Sequence, residues 1–336
     1  MHEKLMKRAI KLARKGEGKV APNPLVGAIV ADENGNVISE GFHEKFGEPH
    51  AEVNALKKAG ERAKGAILYV TLEPCAHYGK TPPCAELIIK SGVKKLVFGT
   101  SDTHECAKGG AKICKENGIE VISGVLEEEC RKLNEIFFKN VEKKAPFVSI
   151  KVGTTLDGKI AAENTTSKWI TSARAREEVQ RLRNKYDAIL TGSNTVLIDN
   201  PSLTCRLEGG RNPLRVLIDR KARVKKDAKI FNDDGTKVLV YSDFKNLREV
   251  FEDLYKKNVT SVLVEAGEGL VSAIIREQIP DKLYQFIAPK ILGSGKPFVS
   301  NLGINDINDS IILCDTKFKP LVPDFLFEGY FRFNVK

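Results

Sequence analysis

Two stretches of sequence decide the fold of the N-terminal half: Gly47–Glu52, which reads GEPHAE, and Pro74–Cys84, which reads PCAHYGKTPPC. The first leads into a predicted helix that begins after a proline and ends at Gly60. The second follows a short apolar run typical of a buried strand, and it opens another helix. Strands that alternate with helices in this way predict an α/β domain with an enclosed sheet.

His50, Cys75 and Cys84 are the candidate metal ligands in these two stretches. Zinc is bound by neutral imidazole and by thiolate, and a catalytic zinc site holds three protein ligands and a water. Cys84 stands at the start of a predicted helix, where the partial positive charge of the helix end favours a thiolate. The three residues therefore predict a catalytic zinc site.

Glu52 lies in the same predicted helical turn as His50 and is not needed as a ligand. A carboxylate in this place can take a proton from water and return it to a leaving amine. A His-x-Glu pair with a downstream Pro-Cys is the signature of zinc nucleobase deaminases. We therefore predict that Glu52 is the catalytic acid and base.

A structural zinc site is the alternative interpretation of the same residues. Such a site is closed by a fourth protein ligand, and His77 is in reach by sequence. In that case Glu52 would have no part in the chemistry.

The chain has 336 residues, which suits two domains of ordinary size. No apolar run has the roughly 20 residues that a membrane span needs. The charged first helix lacks the apolar core of a signal peptide. Seven cysteines, an odd number, argue against a disulfide framework. We therefore expect a cytoplasmic protein.

The net charge of +10 is spread over both halves of the chain, with no basic tail. That distribution fits small anionic ligands at least as well as nucleic acid, and a basic surface without any ligand is an equal alternative. All five histidines lie in the first 104 residues. Histidine chemistry is therefore expected only in the N-terminal half.

A charged segment that closes with Pro146 separates two domains, which we predict at residues 1–144 and 145–336. The second domain also alternates strands and helices, with Ser172 as the expected N-cap of its first helix. The predicted strands are 26–31, 37–42, 66–72, 94–99, 147–155, 187–192, 214–219, 237–242, 261–265 and 282–288. Predicted helices include 84–91, 172–185, 245–257 and 270–278, and a helix and strand pair covers 110–123.

Val264–Ser272 is the clearest cofactor signal in the second half, because it follows a predicted strand and opens a helix. Gly267 and Gly269 allow a phosphate to approach backbone N–H groups at a helix N-terminus. Ser272 stands where the dinucleotide fingerprint has its third glycine. Asp219–Arg223 also follows a strand, and a basic group there suits the 2′-phosphate that distinguishes NADP from NAD. A charged turn is the simpler interpretation of that segment.

The N-terminal motifs resemble those of the bifunctional deaminase/reductase family of riboflavin biosynthesis. The likeness rests on Pro22–Gly27 and on the two stretches quoted first, above all on the eight residues between Cys75 and Cys84. RNA-editing and cytidine deaminases generally have Cys-x-x-Cys instead. The resemblance implies a cytidine-deaminase-like three-layer fold. It also implies hydrolytic loss of the 2-amino group from 2,5-diamino-6-(5-phosphoribosylamino)pyrimidin-4-one.

Substrate contacts in the first domain are also implied by the resemblance. Asn23 is implied to contact the pyrimidine, and Lys80 and Thr81 the phosphate or the ring. A lysine suits a phosphate as a point charge, although a solvated surface lysine is an alternative. The chain departs from the family pattern at Ala21, where a histidine is frequent. It departs again at Asp102–Gly110, which replaces an Asp-Pro-Asn-Pro run and an Ala-Gly-Lys-Gly loop.

The second half resembles the reductase half of the same family along Lys151–Ala161, Ser167–Ser172, Thr195–Thr204 and the run at Glu265. This resemblance implies a dihydrofolate-reductase-like α/β fold. It implies hydride transfer from NADPH to the ribosyl carbon that bears the amine, which opens ribose to ribityl. The implied cofactor contacts are Gly153, Trp169, Thr195, Asp199, Arg220, Gly267, Glu268, Gly269, Leu270, Val271, Ser272 and Ala273. The implied substrate contacts are Lys151, Ser167, Arg183, Leu203, Arg206 and Glu265.

Two of these substrate residues suit a phosphate by their own chemistry. Arg183 and Arg206 can pair with the 5′-phosphate because a guanidinium binds phosphate oxygens bidentately. Lys151, Asp199 and Glu265 are the polar groups available for proton delivery. The sequence leaves open which of them acts.

We therefore expect an enzyme that uses Zn²⁺ in the first domain and NADPH in the second. Its expected partners are a small phosphorylated pyrimidine and further copies of the chain in a homo-oligomer, with no nucleic acid and no membrane. Two alternatives share the zinc motif. One is an RNA-editing-type deaminase with an accessory nucleic-acid-binding domain, and the other is a reductase with a purely structural zinc.

Overall fold

The computed structural model describes residues 1–78, 82–105, 107–231 and 235–333. The chain forms two compact units, Met1–Lys144 and Ala145–Lys336. Lys80 and Thr81, which the sequence predicts as substrate contacts, lie outside the described residues. Within the described ranges, no helix is both long enough and apolar enough to cross a membrane.

Five strands form the central sheet of the first unit. They are β1 (Gly27–Ala31), β2 (Val37–Phe42), β3 (Ile67–Leu72), β4 (Lys95–Thr100) and β5 (Glu120–Ile122). Their order in the sheet is β2-β1-β3-β4-β5. β1 pairs antiparallel with β2 and β3, whereas β3, β4 and β5 run parallel. The loops after β3 and β4 therefore leave the same edge of the sheet.

Helices cover both faces of this sheet. They are α1 (His2–Ala13), α2 (Ala51–Ala59), α3 (Cys84–Lys90), α4 (Gly110–Glu116), α5 (Glu127–Leu133) and α6 (Glu135–Lys143). Successive strand residues point to opposite faces, so Val30 packs in a cluster with α2, α3 and α4. Its neighbour Ile29 packs instead with α1 and α5. The unit therefore has three layers, helix on sheet on helix.

The second unit is built on an eight-stranded sheet with a short two-stranded ribbon beside it. Its strands are β6 (Phe147–Thr155), β7 (Lys159–Ala161), β8 (Ala188–Gly192), β9 (Leu214–Ile218), β10 (Val238–Tyr241), β11 (Ser261–Val264), β12 (Lys282–Ala288), β13 (Lys296–Pro297), β14 (Ile312–Leu321) and β15 (Asp324–Arg332). The large sheet has the order β10-β9-β8-β11-β6-β12-β15-β14. The first six strands in that order are parallel, and the last two pairings are antiparallel.

Four helices are described in this unit: α7 (Ala173–Lys185), α8 (Ser193–Asp199), α9 (Leu247–Lys256) and α10 (Glu268–Arg276). Ser172 caps α7 as predicted, because its hydroxyl accepts a hydrogen bond of 3.3 Å from the N–H of Ala175. α9 and α10 pack their apolar sides against β6, β8, β9 and β11 in one buried cluster. The strands beneath these helices run parallel, so their carboxyl ends form a common edge.

Several elements are absent from the prediction. α5 and α6 lie in a charged stretch, although acidic first turns and basic last turns mark both helices. β14 and β15 were also missed. β14 is an edge strand exposed along most of its length. Such a strand lacks the alternation of apolar and polar residues that marks a half-buried strand.

Candidate active sites

His50, Cys75 and Cys84 converge at the edge of the first sheet, with their ligand atoms within 4.8 Å of one another. Nδ1 of His50 lies 3.3 Å from Sγ of Cys84 and 3.7 Å from Sγ of Cys75. Tetrahedral zinc with ordinary Zn–N and Zn–S bonds separates such atoms by about 3.5–3.8 Å. The geometry and the donor types therefore fit zinc.

Local structure explains how these ligands meet. His50 is the residue before the first turn of α2, and Cys84 is the first residue of α3. Cys75 follows β3, and its sulfur accepts a hydrogen bond of 3.3 Å from the backbone N–H of Cys84. Hydrogen bonds from the Cys84 side chain and then from His50 lower the pKa of Cys75 to about 4, against the opposing effect of desolvation. Cys75 is therefore ready to bind a cation as a thiolate.

Glu52 is buried beside these ligands, in the first turn of α2. Desolvation raises the pKa of its carboxyl group, and the nearby charge of His50 only partly opposes that rise. A carboxyl group whose pKa is raised takes up a proton more readily than one in water, which suits a residue that both accepts and returns a proton. His77, the possible fourth ligand of a closed zinc site, is not part of the three-residue donor cluster found among the described residues.

A pocket of about 280 Å³ opens in front of His50 and Glu52. Asn23 lines it, and Nδ2 of Asn23 lies 3.2 Å from Nε2 of His43. Nδ1 of His43 lies 3.2 Å from the carbonyl oxygen of Pro49. Desolvation lowers the pKa of this buried histidine, which favours the neutral ring. A neutral ring that donates to Pro49 can accept from Asn23, and this leaves the oxygen of Asn23 free to face a ligand.

His43 was not predicted as a functional residue. The available signal was its place among only five histidines, all in the N-terminal half. Its ring also packs edge-on against the ring of His50 at 5.4 Å. It therefore links Asn23 to the metal-binding histidine.

The second unit contains a much larger pocket, of about 940 Å³, at the carboxyl ends of its parallel strands. β8, β9 and β11 supply lining residues at or just beyond their ends, and β6 supplies Lys151–Gly153 from its second half. Ligands in open α/β sheets bind at this edge. Small-molecule pockets measure about 300–1,000 Å³, so this one has room for a dinucleotide and part of a second ligand.

Glu265 is paired with two basic residues in the large pocket. Its carboxylate lies 2.7 Å from Nζ of Lys151, and it accepts two hydrogen bonds of 2.8 and 3.0 Å from Arg183. Burial alone would raise the pKa of Glu265, but the charges of Arg183 and Lys151 hold it well below the usual range. Arg183 also donates to the carbonyl oxygen of Thr204 at 2.9 Å. Glu265 therefore stays ionised. Two of the five N–H hydrogens of the Arg183 guanidinium remain for a substrate phosphate.

Most residues predicted for the second site line this one pocket. They are Lys151, Gly153, Ser167, Trp169, Arg183, Thr195, Asp199, Leu203, Arg206, Arg220, Glu265, Gly267, Glu268, Gly269 and Leu270. Three predicted cofactor residues do not line it. Val271 and Ser272 are buried on the inner side of α10, and Ala273 packs against the same core. The helical period explains this, because only the first turn of α10 faces the pocket.

Trp169 is held in the pocket wall by a residue that the sequence did not suggest. The guanidinium of Arg176 lies over the indole ring, 4.3 Å from its centroid. Arg176 also donates a hydrogen bond of 2.7 Å to the carbonyl oxygen of Thr171. The indole remains 63% exposed, so one face is available to a ligand.

Comparison with known proteins assigns the chain to a family. The model of the RibD C-terminal domain matches residues 146–326, and that of the cytidine and deoxycytidylate deaminase zinc-binding region matches residues 1–100. Riboflavin biosynthesis protein RibD of Aquifex aeolicus is 40% identical, over 96% of each chain. RibD of Escherichia coli is 38% identical, over 87% of this chain and 89% of its own. The chain belongs to the RibD family.

Solved structures of RibD proteins have the same fold. The deaminase/reductase from Thermotoga maritima is 41% identical, with a TM-score of 0.88 over 98% of this chain and 99% of its own. RibD from Acinetobacter baumannii is 35% identical, with a TM-score of 0.91 over the same shares. These similarities confirm the predicted cytidine-deaminase-like and dihydrofolate-reductase-like folds.

As a RibD protein, the chain is a bifunctional enzyme of riboflavin biosynthesis. It is a zinc-dependent deaminase and an NADPH-dependent reductase, as the resemblance implied. The alternative of an RNA-editing deaminase is not favoured by these relatives.

Glu73 connects the zinc loop to Asp102–Gly110, the segment that is expected from the sequence to depart from the family pattern. The Glu73 carboxylate accepts hydrogen bonds from the N–H groups of Asp102, Gly109 and Ala111, at 3.1–3.3 Å. A Cβ atom on Gly110 would lie 2.0 Å from the carbonyl oxygen of Pro74, so only glycine fits there. His104 from this segment lines the smaller pocket. This segment is therefore packed against the deaminase site.

Proposed function

We propose that the first unit converts 2,5-diamino-6-(5-phosphoribosylamino)pyrimidin-4-one to 5-amino-6-(5-phosphoribosylamino)uracil. The second unit then reduces the ribosyl side chain of that product to the ribityl side chain. The observation that carries the proposal is the buried Glu52 beside three zinc-type donors, in a pocket with the size of a pyrimidine site. The T. maritima relative has these two activities in its name, as deaminase and as reductase.

In the deaminase site His50, Cys75 and Cys84 would hold the metal. Zinc, when bound, makes water a nucleophile near neutral pH. The Glu52 carboxylate takes a proton as water attacks the carbon that bears the 2-amino group, and it delivers that proton to the departing amine. Asn23, oriented by His43, binds the ring. Lys80 and Thr81 are proposed to contact the phosphate or ring.

In the reductase site NADPH, when bound, supplies a hydride to the ribosyl carbon that bears the amine. Glu265 is held ionised by Arg183 and Lys151, so it is a poor proton donor. Lys151 carries hydrogens on Nζ and lies 2.7 Å from Glu265. We assign Lys151 to deliver the proton to the released ring oxygen and Glu265 to position Lys151. Arg183 and Arg206 bind the 5′-phosphate, and Ser167 and Leu203 line the substrate end.

The cofactor is proposed to lie along the carboxyl ends of the strands. Gly153, Thr195, Asp199, Arg220 and the run Gly267–Leu270 border this part of the pocket. Trp169, stacked on Arg176, presents its free face. A cytoplasmic location, a homo-oligomeric state and the absence of nucleic-acid and membrane partners are part of the same proposal.

Incubation with the diaminopyrimidinone phosphate, followed by mass analysis, tests the proposal. Without NADPH, we expect an amino group to be exchanged for oxygen and ammonia to be released. With NADPH, we expect the product to gain two further hydrogens. A chelator should stop the first reaction but not the reduction of added deaminated substrate. Turnover of tRNA with no action on the free nucleotide would contradict the proposal.

A further inference from the structure

Three basic residues follow β9 and line the large pocket: Arg220, Lys221 and Arg223. Arg220 is the one that the family resemblance assigns to the cofactor. Its guanidinium lies over the ring of Phe244, 3.9 Å from the centroid, and donates to the carbonyl oxygen of Lys245 at 3.4 Å. Both partners belong to the connection between β10 and α9. The guanidinium of Arg220 is therefore held by the connection that follows β10.

Arg223 is held in a different way. NH2 of Arg223 donates to Oγ of Ser193 at 2.8 Å and to Oδ1 of Asn194 at 2.6 Å. Ser193 and Asn194 follow the end of β8 and line the same pocket. Within the described ranges, Nε and NH1 of Arg223 donate to no other residue. Arg223 therefore presents a fixed guanidinium with free donors, next to a hydroxyl and an amide that can also donate.

The position of this cluster matches one end of a dinucleotide. The glycine run Gly267–Leu270 follows β11, and β8 lies between β11 and β9 in the sheet. Neighbouring strands are about 4.8 Å apart, so the ends of β9 and β11 are separated by about 10 Å. In sheets that bind dinucleotides, the pyrophosphate lies at the glycine loop, and a separate residue at the same edge of the sheet contacts the ribose 2′ group. Here the guanidinium of Arg223 is held at the end of β8, which is the strand next to β11.

We propose that Arg223, positioned by Ser193 and Asn194, binds the 2′-phosphate of NADPH and sets the preference for NADPH over NADH. This inference rests on the proposed reductase function of the second unit. A phosphate monoester is close to a dianion at neutral pH, and a guanidinium pairs with its oxygens by two parallel hydrogen bonds. Lys221 adds charge at the same place, whereas Arg220 remains on Phe244.

The substrate also carries a phosphate monoester, so the test must separate the two ligands. The chain has one tryptophan, Trp169, in the wall of this pocket. Its fluorescence therefore reports nucleotide binding without any turnover. Dissociation constants for NADPH, NADH and the deaminated substrate are measured on the full chain. Compared variants are Arg223→Ala, Arg223→Lys, Ser193→Ala and Arg220→Ala, with Arg174→Ala on the exposed side of α7 as the matched control.

Arg223→Ala should weaken NADPH binding by roughly 10–100-fold, because hydrogen bonds to charged groups contribute about 1.5–3 kcal/mol. NADH and substrate binding should change less than about threefold. Arg223→Lys should retain part of the affinity, since it keeps the charge but loses the bidentate pair. Ser193→Ala, which keeps the charge of Arg223, should shift the NADPH constant in the same direction by a smaller factor.

Other results would overturn the proposal. Equal weakening of NADPH and NADH would place Arg223 at a part that both nucleotides share. Weaker substrate binding alone would assign Arg223 to the 5′-phosphate. A large loss in Arg220→Ala with none in Arg223→Ala would return the role to Arg220. If Arg223→Ala fails to fold, an unchanged NADPH to NADH ratio in Ser193→Ala and Arg223→Lys would also contradict it. Failure of the unaltered chain to bind either nucleotide would instead refute the reductase function itself.

Discussion

The two pockets of this protein differ in how their residues are gathered. In the deaminase site three ligand atoms lie within 4.8 Å, and they come from the starts of two helices and one loop. In the reductase pocket the lining residues come from many strand ends around about 940 Å³. A metal needs a few donors at short distances, whereas a dinucleotide is bound by many dispersed contacts. The first arrangement leaves a compact motif in the sequence, and the second does not.

Two buried glutamates show the same contrast in electrostatics. Burial raises the pKa of Glu52, because nearby charges do not compensate for its desolvation. The pKa of Glu265 is lowered, because Arg183 and Lys151 more than compensate for burial. The surroundings of Glu52 therefore favour uptake of a proton, whereas those of Glu265 favour the ionised carboxylate. The same residue type performs chemistry in one pocket and positions a lysine in the other.

Glu52→Gln should give the largest effect and separate the two sites. Loss of the proton acceptor should slow ammonia release by about 10²–10⁴-fold, the usual contribution of general acid–base catalysis. Zinc content, measured by elemental analysis, should not change. Reduction of added deaminated substrate should also continue. The exposed Glu61→Gln is the matched control. Unchanged ammonia release would point to a structural zinc, and loss of both activities would contradict independent sites.

Glu265→Gln should have the opposite effect to Glu52→Gln: deamination should remain intact and reduction should be impaired. Removal of the carboxylate leaves Lys151 and Arg183 without their buried partner, and such losses cost about 3–5 kcal/mol of folding free energy. Thermal unfolding of the second unit should move to lower temperature. The exposed Glu252→Gln on α9 should not have this effect. A stable variant with full reductase activity would show that Glu265 does not position Lys151.

Glu265 should also make the folding stability of the second unit depend on pH. The lowered folded-state pKa of Glu265 contributes stability above the unfolded value of about 4.3, and this contribution is lost as the pH falls through the acid range. The stability difference between the unaltered chain and Glu265→Gln should therefore shrink as the pH is lowered below about 4. Denaturant unfolding of both proteins at several pH values measures this stability difference. A difference that grows on acidification would contradict this account.

His43→Ala should give the smallest effect and act through Asn23. One neutral hydrogen bond contributes about 0.5–1.5 kcal/mol, so the KM of the deaminase should rise by up to about tenfold, with less change in kcat. His43→Gln, which restores an acceptor, should recover part of the affinity. In a chain that already carries Asn23→Ala, His43→Ala should add little. Additive losses in the double variant, or loss of zinc, would show that His43 acts mainly on His50.

Predictions from sequence were strongest where chemistry and local structure coincide. The helix after His50, the helix that opens at Cys84 and the Ser172 cap all appear as predicted. Each depends on residues within a few positions of one another, since helix ends are determined by local backbone and side-chain hydrogen bonds. The exposed edge strand β14 was missed because its residues do not alternate in burial.

The sequence by itself determined that this chain has a His-x-Glu and Cys-Cys zinc motif on helix starts, and a glycine run between a strand and a helix. Tertiary structure alone decided which distant groups meet. Lys151 and Glu265 meet because β6 pairs with β11, and Arg183 reaches Glu265 from helix α7. The contact between Arg223 and Ser193 likewise depends on β9 lying beside β8. Local patterns specify strands and helices, but the order in which strands pair depends on the packing of the whole domain.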